Sequence, residues 1–369
     1  MKINSNRDKL SQAVSVVLTS VSSKATLPIL QNLLMEAKDG KIKFIKTDLE
    51  LATIHYISAD VVEEGTVTLP AKEFSDIINT MPEDKNISLN TDTSNKVHLK
   101  CSKSKFWLMG SPKEEYPIIP DLSKSEVIKE PVGILEDMIR KTIFSASTQE
   151  TRYVLNGVLW MIGKKGLEMV ATDGRRLALA KNEQAKTDKD FKIIIPAKVL
   201  QELLKYLSAH KPDKDEKIEI GISSNQIGFK INETTFISRL IEGNFPNYKQ
   251  VIPEKTEISF EITNTDLTAV TRRAGLCTKE RGGAVKYEMK DGVLHVSASS
   301  QKMEFSDEIK TGYKGKDFEC AFNPQYILDV LKNINSPKVV FSLTNPVNPV
   351  VVEPVGEKYC KYVIMPVRT

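Results

Sequence analysis

Apolar and polar positions along this chain follow one arrangement that is written three times. Its clearest copy is Thr151-Arg-Tyr-Val-Leu-Asn-Gly-Val-Leu-Trp160 followed by Ala171-Thr-Asp-Gly-Arg-Arg-Leu-Ala-Leu-Ala180. This predicts two strands joined near Gly163-Lys-Lys-Gly166 and a third entered through Thr172-Asp173-Gly174. Asp-Gly between apolar runs is a hairpin signal, because Gly accepts the positive φ that the favoured turns need. The pattern occurs earlier in Thr26-Leu-Pro-Ile-Leu-Gln-Asn-Leu-Leu-Met35, the turn Asp39-Gly40, and Phe44-Ile-Lys-Thr-Asp-Leu-Glu-Leu-Ala52. A weaker copy follows in Gly283-Ala-Val-Lys-Tyr-Glu-Met289, Asp291-Gly292 and Val293-Leu-His-Val-Ser-Ala298.

The surroundings of each copy are shared too. A helical period opens each block. The first, over about 6–20, buries Leu10, Ala13, Val14, Val17 and Val21; the second, over about 131–145, buries Ile134, Leu135, Met138 and Ile139 and exposes Arg140 and Lys141. The third covers about 266–276 and is capped by Thr265. After the three strands come a strand, a proline and a second helix, at 67–78, 193–204 and 322–331. Pro70, Pro196 and Pro324 stand 126 and 128 residues apart (196 − 70 and 324 − 196). Self-similarity on that scale means tandem domains and not a solenoid, whose units are far shorter. The boundaries fall at 1–125, 126–254 and 255–369. Each domain reads as α+β, mostly antiparallel, with helices on one face. Each is also roughly two-fold repetitive inside, which implies six similar half-units.

Composition narrows the class. At 369 residues the chain is too long for one ordinary core. With 40% hydrophobic and 27% charged residues it reads as soluble and globular. No apolar run approaches the roughly 18 residues of a membrane span, and no apolar signal core opens the sequence. Cys101, Cys277, Cys320 and Cys360 lack CxxC spacing and read as reduced thiols of a cytoplasmic protein. His55, His98, His210 and His295 are scattered, so neither a metal nor another cofactor is expected. Net charge is 52 − 48 = +4, so a nucleic-acid partner would have to meet locally concentrated charge.

No catalytic constellation is present. GxSxG, HExxH and GxGxxG after a strand are missing, and Gly312-Tyr-Lys-Gly315-Lys316 has the wrong spacing for a P-loop. Asp48 and Asp173 recur at equivalent points of two repeats. They read as turn-forming residues at the foot of a strand, since the third copy has Ser299-Ser300 there. Three copies of one module suggest curvature around an axis, and ring closure would remove exposed sheet edges. The first block offers Lys96, Lys100, Lys103 and Lys105 around Phe106, and the third offers Glu304, Asp307 and Glu308 around Phe305. Edge lysines also serve simply to block association. Opposite charge at opposite ends nevertheless predicts a head-to-tail pair, with Leu276 counted in the same interface.

Ala171-Thr-Asp-Gly-Arg-Arg-Leu-Ala178 and the ending Val363-Ile-Met-Pro-Val-Arg368 closely resemble the bacterial replicative sliding clamps, the DNA polymerase III beta subunits. Arg152-Tyr-Val-Leu-Asn-Gly157, Thr26-Leu-Pro-Ile-Leu30 and Phe322-Asn-Pro-Gln-Tyr-Ile-Leu-Asp-Val-Leu331 fit the same family, and the resemblance spans the chain. It implies the DNA clamp fold: three domains per chain and a six-domain homodimeric ring around duplex DNA. Such a ring tethers a polymerase for processivity and catalyses nothing itself.

The implied partners are primer-template DNA, a second copy, the replicative polymerase alpha subunit, the clamp loader delta subunit, translesion polymerases and mismatch-repair proteins. The proteins would bind through short peptides, and no membrane is involved. Inward basic candidates are Arg7, Lys9, Lys72, Arg140, Lys141, Lys198, Lys205, Arg272, Arg273 and Lys332, and the DNA-touching loops match Lys24, Gln149 and Tyr153. The family's peptide pocket matches Leu155, Thr172, Gly174, Arg175, Arg176, Leu177, Pro246, Val251, Asn323, Tyr326, Val347, Val363, Ile364, Met365, Pro366, Val367 and Arg368. Val154, Gln250 and Pro349 depart from the family's best-known pattern. A non-ring nucleic-acid-binding repeat protein and an enzyme using Asp48 and Asp173 are the rival readings.

Overall fold

The computed structural model describes residues 1–19, 27–120, 125–278, 283–357 and 359–367. The chain opens with β1 (Lys2–Asn6), α1 (Arg7–Thr19), β2 (Asn32–Lys38), β3 (Lys41–Thr47), β4 (Leu51–Ser58), β5 (Asp60–Glu63) and β6 (Gly65–Pro70). Then come α2 (Ala71–Thr80), β7 (Asn86–Thr91), β8 (Lys96–Cys101), β9 (Ser104–Met109), β10 (Glu126–Pro131) and α3 (Val132–Ile143). β11 (Gly157–Gly163), β12 (Gly166–Thr172), β13 (Arg176–Asn182) and β14 (Phe191–Pro196) lead into α4 (Ala197–His210). β15 (Lys217–Ile222), β16 (Gln226–Ile231), β17 (Thr234–Arg239), β18 (Ile258–Thr263) and α5 (Asn264–Ala274) follow. β19 (Val285–Lys290), β20 (Val293–Ser299), β21 (Glu304–Lys310), β22 (Phe318–Phe322), α6 (Pro324–Lys332), β23 (Lys338–Leu343), β24 (Val350–Pro354) and β25 (Cys360–Ile364) complete it.

Two compact units result, one of 1–134 with 198–240, the other of 135–197 with 241–369. In the first, the sheets run β5-β1-β7-β8-β9 and β10-β15-β16-β17-β4-β3-β2-β6. Leu10, Ala13, Val14 and Val17 of α1 and Phe74 and Ile78 of α2 fill the core, against Ile3, Met35 and Phe44 from the strands. Their i, i+3, i+4, i+7 spacing puts one stripe inward, and each large side chain so buried stabilises by about 1.5–3 kcal/mol. In the second unit the sheets run β14-β11-β12-β13-β25-β24-β23-β18 and β21-β20-β19-β22. Here Leu267, Val270 and Ala274 of α5 meet Ile327, Val330 and Leu331 of α6.

Two of the three Asp-Gly turns behave as read, whereas at Asp173-Gly174 only the glycine is left-handed and the loop is longer, with Thr172 paired to Leu177. Asp39 and Gly40 have φ of 50° and 70°, and Asp291 and Gly292 have 51° and 78°. Both residues of each pair are left-handed, as a two-residue hairpin turn with the sheet's own twist requires. Two expectations are corrected. α2 and α4 begin on Ala71 and Ala197, after Pro70 and Pro196 have ended their strands, whereas α6 begins on Pro324 itself. The structural period is therefore 126 and 127 residues (197 − 71 and 324 − 197). Proline suits both places, since a first-turn amide has no acceptor within the helix. α5 begins at Asn264, not at Asp266. Thr265 lies inside it, and Asn264 Nδ2 donates to the carbonyls of Leu331, Ile334 and Ser336 at 3.2–3.3 Å, tying the start of α5 to the end of α6.

Candidate functional site

The turn between β12 and β13 is built by its own side chains. Thr172 Oγ1 donates to the Arg176 carbonyl (2.6 Å) and accepts from the Gly174 amide (3.1 Å). Asp173 Oδ1 accepts from the amides of Arg175 (2.8 Å) and Arg176 (3.0 Å). Short polar side chains close such turns because they replace the backbone partners the sheet no longer supplies. Gly174 sits at φ +85°, and a Cβ there would stand 2.7 Å from Arg152 Nη1.

β25 pairs with β13 in the register Arg176↔Ile364 and Leu177↔Val363. Beyond it the Met365 amide donates to the Arg175 carbonyl (2.9 Å) and the Val367 amide to the Ala321 carbonyl (2.8 Å). The chain's last described residues are thereby laid from the turn to the end of β22. Beneath them, Leu155, Leu177 and Val363 share a buried cluster with Leu159, Val170, Leu179, Ile194, Phe245 and Tyr248. The Tyr248 hydroxyl donates to Glu168. Burial and that carboxylate both raise the phenol's pKa.

Four other residues of the expected set are large exposed apolar groups: Val251 (46% exposed), Val347 (72%), Met365 (40%) and Val367 (39%). Arg175 and Pro246 are exposed, while Thr172, Asn323, Tyr326 and Pro366 are half-buried. Asn323 Oδ1 caps α6 by accepting from the Gln325 amide (2.9 Å). Ile364 does not join them. Strand residues alternate faces, so it points into the α5–α6 core, opposite Val363. Arg368 lies outside the described residues.

Sequence reasoning named Arg176 and Asp173 but missed the partners that hold them, Asp329, the Phe144 carbonyl and Arg152. Arg176 Nε donates to Asp173 Oδ2 (3.1 Å), Nη1 to Asp329, and Nη2 to the Phe144 carbonyl (2.7 Å). Arg152 Nη1 reaches the Asp173 carbonyl (3.2 Å). Asp329 lies one helical turn past Gln325, but nothing in the pattern pairs it with residue 176.

The basic residues expected to face DNA are mostly engaged within the protein. Arg7 is not a free charge: its guanidinium donates to the Ile78 (3.1 Å) and Asn79 (2.7 Å) carbonyls at the end of α2 and pairs with Asp8. Lys141 is not exposed as expected; it lies against Asp137 (2.8 Å) and Glu357 (3.0 Å). Burial disfavours its charge, but the two carboxylates outweigh this and raise its pKa. Arg140 pairs with Glu136, Lys198 with Asp48, Lys205 with Glu202 and Arg273 with Asp307. Lys9, Lys72, Arg272 and Lys332 are exposed, as are Gln149 and Tyr153, and Lys24 lies outside the described residues.

At the sheet ends, β9 exposes Phe106, Trp107 and Met109, with the Lys96 ammonium 3.9 Å from the Trp107 ring centre, and Lys103 and Lys105 beside them. β21 is an edge strand of the 285–322 sheet and exposes Glu304 and Glu308, and Leu276 is exposed in the turn that follows α5. Asp307 turns to the helix side, where hydrogen bonding from Arg273 holds its carboxyl below the usual range. That leaves Glu304 and Glu308 as the outward acids of the strand.

Asp48 and Asp173 both use their carboxylates on the amides of their own turns, which accounts for their recurrence without catalysis. Three family descriptions match in tandem: DNA polymerase III beta subunit, N-terminal domain (residues 1–120), central domain (131–247) and C-terminal domain (249–368). The chain belongs to the DNA polymerase III beta subunit family. A beta sliding clamp of Staphylococcus aureus is 32% identical over 380 aligned residues, covering 100% of both chains. The solved sliding clamp of Bacillus subtilis superimposes with a TM-score of 0.95 at 29% identity, over 100% of this chain and 99% of that one. A Pseudomonas aeruginosa clamp solved bound to griselimycin gives 0.93 at 28%, over 100% of each. As a member of this family the chain is a DNA sliding clamp of three tandem domains, a processivity factor of DNA replication with no catalytic activity of its own. No described helix is long and apolar enough to cross a membrane.

Proposed function

We propose that the chain works as a homodimeric ring around duplex DNA, with domains spanning 1–125, 126–254 and 255–369. The observation that carries this is a pair of free sheet edges of opposite charge, Lys103 and Lys105 beside β9 against Glu304 and Glu308 on β21. Phe106 and Leu276 belong to the same seam. Joining the edges of two copies satisfies two rows of backbone groups that would otherwise invite aggregation. Arg7, Arg140, Lys141, Lys198, Arg272 and Arg273, with the loop residues Lys24, Gln149 and Tyr153, would face the DNA.

Pairing most of these cations internally suits a clamp that must slide, since each tight phosphate contact adds affinity that resists motion. Retention is then topological, and a released polymerase rebinds at high effective concentration. The Val251, Val347 and Met365 surface over the Leu155–Leu177–Val363 floor would take a short extended peptide with Leu or Phe anchors. Donors of such peptides are the polymerase alpha subunit, the loader delta subunit, translesion polymerases and mismatch-repair proteins, in the cytoplasm.

The test is retention on nicked circular DNA after loading, before and after the circle is cut. Loss on linearisation is expected, and equal retention on both forms would overturn the ring. Met365→Asp is expected to abolish peptide binding and leave the dimer intact. Loss of the dimer would remove the pocket assignment.

A further inference from the structure

We propose that Arg176 is a positioning residue of the pocket, latching the 172–176 turn, α6 and the chain after α3 together without itself binding the partner peptide. The proposal rests on the pocket reading above. A guanidinium carries five N–H donors in one rigid plane. Here those donors reach a carboxylate of the turn, a carboxylate of α6 and the Phe144 carbonyl. The plane lies 4.7 Å from the Tyr326 ring centre and 5.6 Å from that of Phe144. With its side chain 11% exposed, little of the group is left for a ligand.

What Arg176 holds are the parts that a peptide would meet. Tyr326 is a wall of the pocket, and the turn presents Gly174 and Arg175. Asp329 is gripped from its other oxygen by Gln325 Nε2 (2.6 Å), whose own amide is bound to Asn323, so the latch reaches the cap of α6. Without the cation, Asp173 and Asp329 lose their shared partner and the three segments lose their common point. Lysine offers one point charge and no planar fork, so it cannot replace the three-way contact.

Two fluorescein-labelled hexapeptides with the same Leu and Phe anchors separate positioning from contact. One carries an Asp and a free C-terminal carboxylate, the other an Asn and a C-terminal amide. Arg176→Met and Arg176→Lys are expected to weaken both peptides by one common factor of about tenfold. Asp329→Asn, which lies outside the pocket, is expected to weaken both about threefold, and the double variant to cost less than the product because both changes break one contact. Circular dichroism and dimer mass are read on every variant. If Arg176→Met loses its fold, Arg176→Lys and Asp329→Asn carry the same comparison. A loss confined to the peptide with carboxylates would make Arg176 a ligand contact and overturn the proposal. Unchanged affinity of Asp329→Asn for both peptides would overturn it as well. Failure of the pocket reading looks different: the native protein would bind neither peptide, or Met365→Asp would bind both normally.

Discussion

The β3–β4 turn of the first unit and the β12–β13 turn of the second are one backbone device with different side chains. Thr47 Oγ1 donates to the Leu51 carbonyl and accepts from the Leu49 amide, as Thr172 does with Arg176 and Gly174. Asp48 Oδ1 accepts from the amides of Glu50 and Leu51, as Asp173 does from Arg175 and Arg176. The strand that follows pairs alike: Ala52↔Ile237 corresponds to Leu177↔Val363, and the Arg239 amide meets Glu50 as Met365 meets Arg175. Even the small cores beneath match, with Leu34, Ile45, Ala52, Ile54 and Ile237 standing where the second unit has Leu159, Val170, Leu177, Leu179 and Val363. The differences are in chemistry. Leu51 replaces Arg176, Lys198 meets Asp48 directly, and Leu49 takes the left-handed place of Gly174. A Thr-Asp pair is thus enough to make the turn. What the turn presents depends on its third and fifth residues.

The largest contrast concerns charge. Removing Arg176 leaves two half-buried carboxylates without their cation, so Arg176→Met is expected to destabilise the second unit by about 3 kcal/mol. Lys198→Met breaks a pair whose lysine is 40% exposed, and less than about 1 kcal/mol is expected. Urea unfolding with hydrogen exchange in β13 and β4 measures both. Equal losses would erase the distinction between the turns.

A similar effect is expected from pH at the seam where each turn's strand pairs. In the first unit His55 stands opposite Thr234, and its Nδ1 meets Thr234 Oγ1 at 2.8 Å. Burial first, and the nearby His210 second, lower its pKa from 6.5 to about 4, against an opposing pull from Glu233. A depressed histidine pKa means that the unfolded chain binds the proton first. The stability is present above pH 6.5 and is lost as pH falls toward 4, by up to roughly 3 kcal/mol. The matching place in the second unit is Ala180↔Cys360, where burial pushes the thiol up to about 12, far from that window. His55→Ala should flatten the acid loss in exchange protection of β4. A slope that survives the substitution would place the titrating group elsewhere.

The smallest effects come from exchanging the third turn residue. Gly174→Leu forces a side chain to positive φ and against Arg152, and a cost of about 1–2 kcal/mol is expected. Leu49, at φ 77°, already carries that strain, so Leu49→Gly should cost nothing and gain up to about 1 kcal/mol. Both are read from thermal unfolding midpoints, and a destabilised Leu49→Gly would show that the leucine packs more than it strains.

Much of this was legible before folding. The triple repeat, the Asp-Gly hairpins, the buried stripes of α1 and α2 and the turn role of Asp48 and Asp173 are local facts of spacing and turn chemistry. β1 was not legible, because only Ile3 in it is apolar and five residues are too few to show a period, although Ile3 is completely buried. Nor was the register of the proline junctions, since proline is equally at home ending a strand and starting a helix. Of the proposed pocket, the burial of Leu155, Leu177 and Val363 follows from pattern and their grouping came from the family resemblance, whereas the face that Ile364 takes was not legible because neither pairing partner nor face is visible in a linear run.

By itself the sequence determined the modules, their order and the shape of each turn, because these rest on residues within about four positions of one another. Only the tertiary structure decided which charges meet. Asp329 lies 153 residues from Arg176, Lys198 lies 150 from Asp48, and Glu357 lies 216 from Lys141. Such pairs depend on where helices come to rest on sheets, and a lysine that reads as a solvated face in the chain becomes half of an ion pair in the fold. The same step gives two turns with one backbone different partners, Lys198 for Asp48 in the first unit and Arg176 with Asp329 for Asp173 in the second.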